Sequence, residues 1–421
     1  MLRVGIRHLT PRLLGARLAP CLIGARLLSS EDYGSDTRAV HAGRGGLGIS
    51  AHIPPIDLST TYPIPNLEEA SQSMGSLGQG GPPLFGNALY QRMYNPTVAR
   101  FEEALAELES MPESVAFSSG MAAIVAVLLA AREPKRKHVI GVLPLYGGTH
   151  SLLNCGLLDI EVTWATPETV REAIRADTAL VMCESPANPT CTICDIASIC
   201  QQAGGIPVLV DSTFATPVLS QPVRYGAAMV VHSATKAIGG HGDTLGGVVA
   251  ASSEWAKRIR RVRALTGSNL HPLAAHNLHR GLQTLPVRIR AQQASTEELA
   301  RRLLRHPAVE SVSYATAANS ALVGVGKQMA GGGTVLAFTM AGGYDAAKTL
   351  MATVKLITPA VSLGTTDTLI QHPAGITHRS LDQAAKDAGG IGAGMLRLSV
   401  GLECVDDLWT DLDAALRQAM R

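Results

Sequence analysis

Five short apolar runs, separated by longer segments with helical spacing, constrain the fold of this chain more than any other feature. They cover residues 138–143, 179–183, 207–210, 228–231 and 247–251. Continuous apolar strands of this length are typical of parallel sheets that helices cover on both faces. The sequence therefore predicts an α/β fold whose large domain contains a mostly parallel sheet.

The remainder of the chain after Pro96 follows helical and strand periodicities. Val98, Phe101, Leu105 and Leu108 recur at three- and four-residue intervals, which predicts an amphipathic helix. A second, more buried helix is expected over 121–131. Towards the C-terminus the pattern predicts a smaller α+β domain, with strands and helices at 334–340, 345–354, 395–400 and 405–419.

The 421 residues suggest two or three domains, at about 150 residues for each. Residues 31–95 are rich in glycine and loops and lack the periodicity of a unit that buries its own core, so we expect an extended N-terminal arm. The predicted organisation is a leader at 1–30, the arm at 31–95, a cofactor-binding large domain at 96–286 and a small domain at 287–421.

The first thirty residues differ in charge from the rest of the chain. They hold five arginines and no acidic residue, a composition typical of a mitochondrial transit peptide. The alternative is a start codon placed too far upstream, which would leave a cytoplasmic protein. Without this segment the net charge changes from +2 to −3, which argues against electrostatic binding to nucleic acid or an anionic membrane. No run of about 18 apolar residues predicts a membrane span.

The seven cysteines are scattered, unlike those of a secreted disulfide framework. Cys191 and Cys194 form a Cys-x-x-Cys, but no second pair of ligands completes a zinc site, so we expect no metal. Their apolar neighbours favour small buried side chains over a metal or redox role.

Polar residues follow three of the predicted strands, at the sheet edge where parallel sheets bind ligands. Asp211 follows the strand at 207–210, His-Ser-Ala-Thr-Lys at 232–236 follows the next strand, and Glu184 follows the strand at 179–183. Pyridoxal phosphate needs a lysine for a Schiff base, a carboxylate for its ring nitrogen and donors for its phosphate. The convergence of Lys236 and Asp211 on one cleft therefore suggests this cofactor.

Phosphate donors are also present. Ser-Ser-Gly-Met at 118–121 opens the predicted helix at 121–131, where free backbone amides and the helix dipole favour an anion. Ser233 and Thr235 would add hydroxyl groups.

At these residues the sequence resembles the trans-sulfuration, or Cys/Met metabolism, group of fold-type I pyridoxal phosphate enzymes. The resemblance runs from Thr37 to the C-terminal helix. It rests on ordered motifs, which are Tyr-Gln-Arg-Met-Tyr-Asn-Pro-Thr (90–97), Ser-Gly-Met (119–121), Tyr-Gly-Gly-Thr (146–149), Glu-Ser-Pro-Ala-Asn-Pro-Thr (184–190), Asp-Ser-Thr-Phe-Ala-Thr-Pro (211–217), the Lys236 motif and Leu-Arg-Leu-Ser-Val-Gly-Leu-Glu (396–403). It implies a seven-stranded large-domain sheet and a smaller α+β domain.

The resemblance also implies roles for individual residues. Lys236 would carry the cofactor and shuttle protons, Asp211 would pair with the pyridine nitrogen, and Tyr146 would stack on the ring and act as acid or base. Arg397 would bind the substrate carboxylate through a bidentate fork. The other implied contacts are those of Ser233, Thr235, Gly120 and Met121 with the phosphate, Asn188 with the ring hydroxyl and Ser362 with Lys236.

Tyr90 and Arg92 resemble the pair that reaches the phosphate of a neighbouring subunit. If they do so here, the arm is an intersubunit element and the enzyme is at least a dimer, in this family usually a homotetramer.

The resemblance implies γ-elimination from a sulfur amino acid, namely methionine, homocysteine or cystathionine, to α-ketobutyrate, ammonia and a thiol. The alternative is γ-replacement on an activated homoserine, and a non-catalytic structural subunit is a third reading. Leu89, Ser151 and Val361 stand where cystathionine-using members tend to carry charges, so an apolar γ-substituent is favoured. Two residues depart from the family pattern, Gly148 where methionine γ-lyases usually have cysteine and Ser212 where asparagine is usual.

Overall fold

The computed structural model describes residues 33–44, 51–379 and 383–421, so the predicted leader at 1–30 lies outside the described residues. Its strands are β1 (Glu113–Phe117), β2 (His138–Val142), β3 (Glu161–Ala165), β4 (Thr178–Glu184), β5 (Val208–Asp211), β6 (Met229–His232), β7 (Gly247–Ala251), β8 (Val309–Ser313), β9 (Val335–Met340), β10 (Thr358–Pro359), β11 (Leu369–Gln371) and β12 (Met395–Ser399). Its helices are α1 (Ser35–His41), α2 (Leu67–Gly78), α3 (Pro96–Glu109), α4 (Gly120–Ala131), α5 (Gly147–Asn154), α6 (Ile196–Ala203), α7 (Thr216–Leu219), α8 (Ser253–Thr266), α9 (Pro272–Leu303), α10 (Gly343–Thr353), α11 (Gln383–Ala388) and α12 (Val405–Ala419).

The large sheet has seven strands in the order β1-β7-β6-β5-β4-β2-β3. The pairs β2–β3, β2–β4, β4–β5 and β5–β6 are parallel, and β7 runs antiparallel to both of its neighbours. This topology confirms the predicted mostly parallel, seven-stranded sheet. Register brings the functional strand ends together, because Asp211 at the end of β5 pairs with Glu184 on β4 and with Val231 on β6.

Helices cover both faces of this sheet, as the uninterrupted apolar strands require. On one face, α4 and α8 pack on β1 and β7, and on the other α3 packs on the same two strands and on α9. Helix α4 is apolar around most of its surface, and Ala123, Val127 and Leu128 on it are fully buried. The two covered faces form the core that holds the strand ends in place.

The second sheet has five strands in the order β10-β11-β12-β9-β8. Helices α10 and α12 contact each other, and α12 buries Leu408, Leu412 and Leu416 completely in the core of this sheet. These three leucines lie four residues apart, which is the spacing of one helical face. Arg397 lies in the middle of β12, between Gln371 of β11 and Ala337 of β9.

Helices α1, α2 and α9 differ from the sequence-based expectation. The region expected to be an extended arm contains α1 and α2, and α2 begins after Asn66, whose side chain accepts hydrogen bonds from the backbone of Glu68 and Glu69. The boundary expected after residue 286 falls inside α9, in which Pro286 is buried. Local patterns missed these features because α2 is polar and a proline usually ends a helix. The division into arm and two domains stays a prediction.

Within the described part of the chain, no helix is both long and apolar enough to cross a membrane.

Candidate active site

A cavity of about 510 Å³ lies at the carboxyl ends of β4, β5 and β6, against the second sheet. It brings together ten of the residues that the sequence predicts for the site, which are Gly120, Met121, Tyr146, Asn188, Asp211, Ser233, Thr235, Lys236, Ser362 and Arg397. Glu184, Thr213 and Phe214 line it too, although no role is predicted for them from the sequence.

Lys236 lines the cavity, and its Nζ donates a hydrogen bond of 2.9 Å to Ser362 Oγ. Burial, together with the nearby positive charge of Arg397, lowers the pKa of Lys236 to about 8. Ser362 has a φ of 139°, a conformation that residues other than glycine rarely adopt. The lysine is therefore held in one position, with an amine that loses its proton more readily than an exposed lysine.

Asp211 is buried at the end of β5, where Oδ1 accepts hydrogen bonds from Thr213 N at 3.0 Å and Thr213 Oγ1 at 2.6 Å. Burial raises the pKa of the carboxyl group, and the hydrogen bonds from Thr213 oppose this rise because they favour the ionised form. Since Thr213 uses only Oδ1, the other oxygen is left for a positively charged partner such as a protonated pyridine nitrogen.

The N-terminus of α4 forms another wall of the cavity. Ser119 caps the helix, its Oγ accepting a hydrogen bond of 3.1 Å from Ala122 N, and the N–H groups of the first turn lack partners within the helix. A Cβ at Gly120 would lie 3.0 Å from Ser233 Cβ, so this glycine allows the helix to approach the loop after β6. Thr235 Oγ1 donates to Gly246 O at 3.2 Å and accepts from Gly246 N at 3.0 Å. The amides and Ser233 make an anion-binding corner that fits a phosphate.

Arg397 is 3% exposed and points from β12 into the cavity. Its Nη1 donates to Asn188 Oδ1 at 2.8 Å and its Nη2 donates to Ser362 O at 2.6 Å, while Nε is buried without a partner among the described residues. Burial lowers the pKa of the guanidinium to about 10. Asn188 was expected to contact the ring hydroxyl of the cofactor. Its side-chain carbonyl oxygen accepts a hydrogen bond from Arg397.

Glu184 holds two of the predicted residues through their backbones. Its carboxylate accepts from Tyr146 N at 2.6 Å and from Asn188 N at 2.9 Å. Burial and the nearby carboxylate of Asp211 raise the pKa of Glu184 well above its usual value. The position of this acidic residue, directly after the apolar run at 179–183, was visible in the sequence. Its role in holding the backbones of Tyr146 and Asn188 is visible only from the hydrogen bonds.

The two departures from the family pattern have different surroundings. A Cβ at Gly148 would lie 2.5 Å from Cε1 of the Tyr146 ring, so glycine leaves room for this ring at the start of α5. Ser212 is fully buried, and its Oγ has no hydrogen-bond partner in the described chain.

The mouth of the cavity is apolar. Leu245, Val361 and Ile376 line it and are 67%, 55% and 50% exposed. In contrast, the charged lining residues in the described part of the chain lie near its floor and are Glu184, Asp211, Lys236 and Arg397.

Tyr90 and Arg92 lie outside this cavity. Tyr90 is exposed, and the Arg92 guanidinium lies 5.5 Å from the centre of the Tyr90 ring and donates a hydrogen bond to Ala264 O.

Three positions were expected to influence the choice of substrate, namely Leu89, Ser151 and Val361. Of these three, only Val361 lines the cavity. Leu89 is instead buried against Ala70 and Leu77 of α2.

Cys191 is buried in a small apolar cluster with Phe214, Val335 and Leu363, and Cys194 contacts Glu184 O through Sγ at 3.8 Å. Among the described residues, no group of three or more His, Cys, Asp or Glu side chains is placed to hold a metal ion.

Comparison with known proteins assigns the chain to a family. Residues 36–417 match the family of Cys/Met metabolism PLP-dependent enzymes. The chain belongs to this family. Its cofactor is therefore pyridoxal phosphate, as the lysine and the aspartate at the strand ends predict.

Two relatives in sequence carry the same name. The chain is 51% identical to an L-methionine gamma-lyase of Brevibacterium sandarakinum over 90% of its length and 97% of the relative. It is 36% identical to an L-methionine gamma-lyase of Treponema denticola, over 93% of the chain and 98% of the relative.

Solved structures of related enzymes share the fold. A cystathionine gamma-lyase from yeast is 31% identical with a TM-score of 0.83, covering 93% of this chain and 99% of that one. A cystathionine gamma synthase from Xanthomonas oryzae pv. oryzae, in complex with cystathionine, is 33% identical with a TM-score of 0.81 over 92% and 99% of the two chains. The fold is that of the fold-type I enzymes.

Proposed function

We propose that this protein is a carbon–sulfur lyase that removes the γ-substituent of methionine, giving α-ketobutyrate, ammonia and methanethiol. The observation that carries the proposal is the apolar mouth formed by Leu245, Val361 and Ile376 above a charged floor. Among the described residues, no charged side chain at this mouth would pair with the second amino-acid group of cystathionine, whereas apolar side chains suit the methyl group of methionine. Curated relatives at up to 51% identity are L-methionine gamma-lyases, which supports the same substrate.

The residues at the floor fit pyridoxal phosphate. Asp211 offers a buried carboxylate oxygen for the ring nitrogen, the start of α4 with Ser233 offers donors for the phosphate, and Lys236 offers an amine for the aldehyde. Once bound, the cofactor supplies an electron sink for the electrons left when the Cα proton departs.

The protein side chains would then position the substrate and move protons. Arg397 would bind the α-carboxylate, in an orientation fixed by its bonds to Asn188 and Ser362. The amine of Lys236, whose pKa is about 8, would take the proton from Cα and hold it. Tyr146, whose backbone is held by Glu184, would act as the acid or base near the departing sulfur.

Tyr90 and Arg92 would complete the phosphate site of a neighbouring subunit, in a homotetramer built from catalytic dimers. Their position outside the cavity of their own subunit supports this assignment. Light scattering measures the mass in solution. Arg92→Ala is expected to weaken cofactor binding without disturbing the residues that line the subunit's own cavity, and a fully active monomer would contradict the proposal.

The substrate test offers purified holoenzyme methionine, homocysteine, cystathionine and O-acetylhomoserine with sulfide. Release of α-ketobutyrate is measured against formation of a new thiol or thioether. We expect ketoacid from methionine at the highest kcat/KM. Product formed only by replacement on O-acetylhomoserine would favour the alternative, which the likeness to cystathionine gamma synthase keeps open, and no ketoacid from any substrate would refute the lyase.

The location of the protein stays a prediction. Import into the mitochondrial matrix requires removal of the leader, so N-terminal sequencing of the native protein decides between the matrix and the cytoplasm.

A further inference from the structure

A buried acid and a buried histidine meet beneath the candidate active site. Glu109 is the last residue of α3 and His232 the last residue of β6, and His232 Nε2 lies 2.6 Å from Glu109 Oε1. Both side chains are 0% exposed, and Glu109 Oε2 and His232 Nδ1 have no other partner in the described chain. A buried polar group is costly unless it is hydrogen-bonded, and each of these two side chains is the partner of the other.

The pair lies on the opposite face of the sheet from the cavity. Side chains alternate along a strand, and Val231 and Ser233 line the cavity, so His232 points to the other face. Val231 pairs in register with Asp211 on the neighbouring strand. His232 therefore directly follows Val231, the residue that pairs with Asp211 in the sheet.

Hydrogen bonds connect the same strand end to Asp211. Ser233 N, directly after His232, donates to Thr213 Oγ1 at 2.9 Å, and Thr213 Oγ1 donates to Asp211 Oδ1 at 2.6 Å. Any shift of His232 would therefore move the hydroxyl that stabilises the Asp211 carboxylate.

We propose that Glu109 and His232 are positioning residues that keep Asp211 ionised and in place for the ring nitrogen of the cofactor. This inference rests on the proposed cofactor site. Two influences act on the pKa of Asp211 in opposite directions, since burial raises it, whereas the hydrogen bonds from Thr213 and the nearby His232 lower it. Glu109 acts through His232, because its carboxylate is hydrogen-bonded to the imidazole and holds this ring between α3 and the end of β6.

Helix α3 also contains a matched control pair. Glu102 accepts a hydrogen bond from Ala116 N at 2.7 Å and forms an ion pair with Arg263, with only 11% and 5% of the two side chains exposed. Neither residue lines the cavity. Glu102→Gln therefore removes a buried charge from the same helix without acting on Asp211.

The experiment compares Glu109→Gln, the double variant Glu109→Gln with His232→Gln, and Glu102→Gln. Each apoenzyme is titrated with pyridoxal phosphate, and the dissociation constant, the visible absorbance spectrum of the bound cofactor and the melting temperature are measured. We expect all three variants to melt earlier than the wild type. Only the variants at 109 and 232 should bind the cofactor more weakly and show a changed spectrum. The expected loss of affinity is about tenfold, which is equivalent to one pKa unit at Asp211.

Two results would overturn the inference. One is unchanged cofactor affinity and spectrum in Glu109→Gln, and the other is an equal loss of affinity in Glu102→Gln, which would mean that the pair only stabilises the fold. If the double variant does not fold, Glu109→Gln alone decides. A wild type that binds no pyridoxal phosphate would instead refute the proposed function.

Discussion

The floor and the mouth of the candidate active site are built in contrasting ways. At the floor, Lys236, Asp211 and Arg397 are held by hydrogen bonds to Ser362, Thr213 and Asn188. At the mouth, Leu245, Val361 and Ile376 are exposed apolar side chains. The floor thus carries positioned charges in a buried place, where electrostatic interactions are strong, whereas the mouth offers only shape and hydrophobicity.

We infer from this difference that the floor residues serve the reaction, whereas the mouth residues determine which substrate is preferred. Substitutions at the floor should remove activity on every substrate, because they change how the cofactor, the carboxylate or the proton is held. Substitutions at the mouth should change which γ-substituent is preferred and leave cofactor binding intact. Four measurements test this division.

Lys236→Ala should have the largest effect. Without the amine, the cofactor loses its covalent attachment and the Cα proton loses its proposed base, so ketoacid release should fall about a thousandfold or more. The visible absorbance band of the bound cofactor should also change. Comparable turnover in this variant would show that another base serves the reaction.

The pH dependence of cofactor uptake tests the burial of the floor. Only the neutral amine attacks the aldehyde, and the pKa of Lys236 is lowered to about 8, so the fraction of reactive amine rises with pH. The rate of cofactor uptake by the apoenzyme, followed by absorbance, should rise about fiftyfold between pH 6 and pH 8 and then level off. A rate that still climbs above pH 10 would mean that Lys236 titrates like an exposed lysine.

Arg397→Lys keeps the charge but loses the planar fork, so binding of the substrate carboxylate should weaken. We expect kcat/KM for every substrate to fall about thirtyfold, near 2 kcal/mol, with unchanged cofactor affinity. Steady-state kinetics on methionine and homocysteine check this result. An effect on only one substrate would place Arg397 in specificity rather than in carboxylate binding.

Val361→Glu should have the smallest of the four effects and the most selective one. A carboxylate at the mouth would disfavour the methyl group of methionine and attract the distal ammonium group of cystathionine. The ratio of the two kcat/KM values should shift about tenfold towards cystathionine, while cofactor affinity stays the same. Val361→Gln is the matched neutral control, and an equal shift in that variant would assign the effect to size rather than charge.

Much of the fold was predictable because buried strands and amphipathic helices have local patterns. The runs that became β4, β5 and β6 were visible, and so were Asp211 and Lys236 behind them. Strand β3 was missed because it lies at the edge of the sheet, where partial exposure weakens the apolar pattern. The role of Glu184 was also missed, since backbone hydrogen bonds to Tyr146 and Asn188 have no counterpart in side-chain spacing.

The large sheet, the cofactor and the family could be inferred from the sequence, because apolar periodicity and ordered motifs are local properties. The contacts of Lys236 with Ser362 and Arg397, more than a hundred residues away, and of Glu109 with His232 are visible only in the folded protein. Such contacts depend on how elements of both sheets are placed around the cavity and on how α3 packs on the large sheet. Packing joins residues that are distant in the chain, so no local pattern can record it.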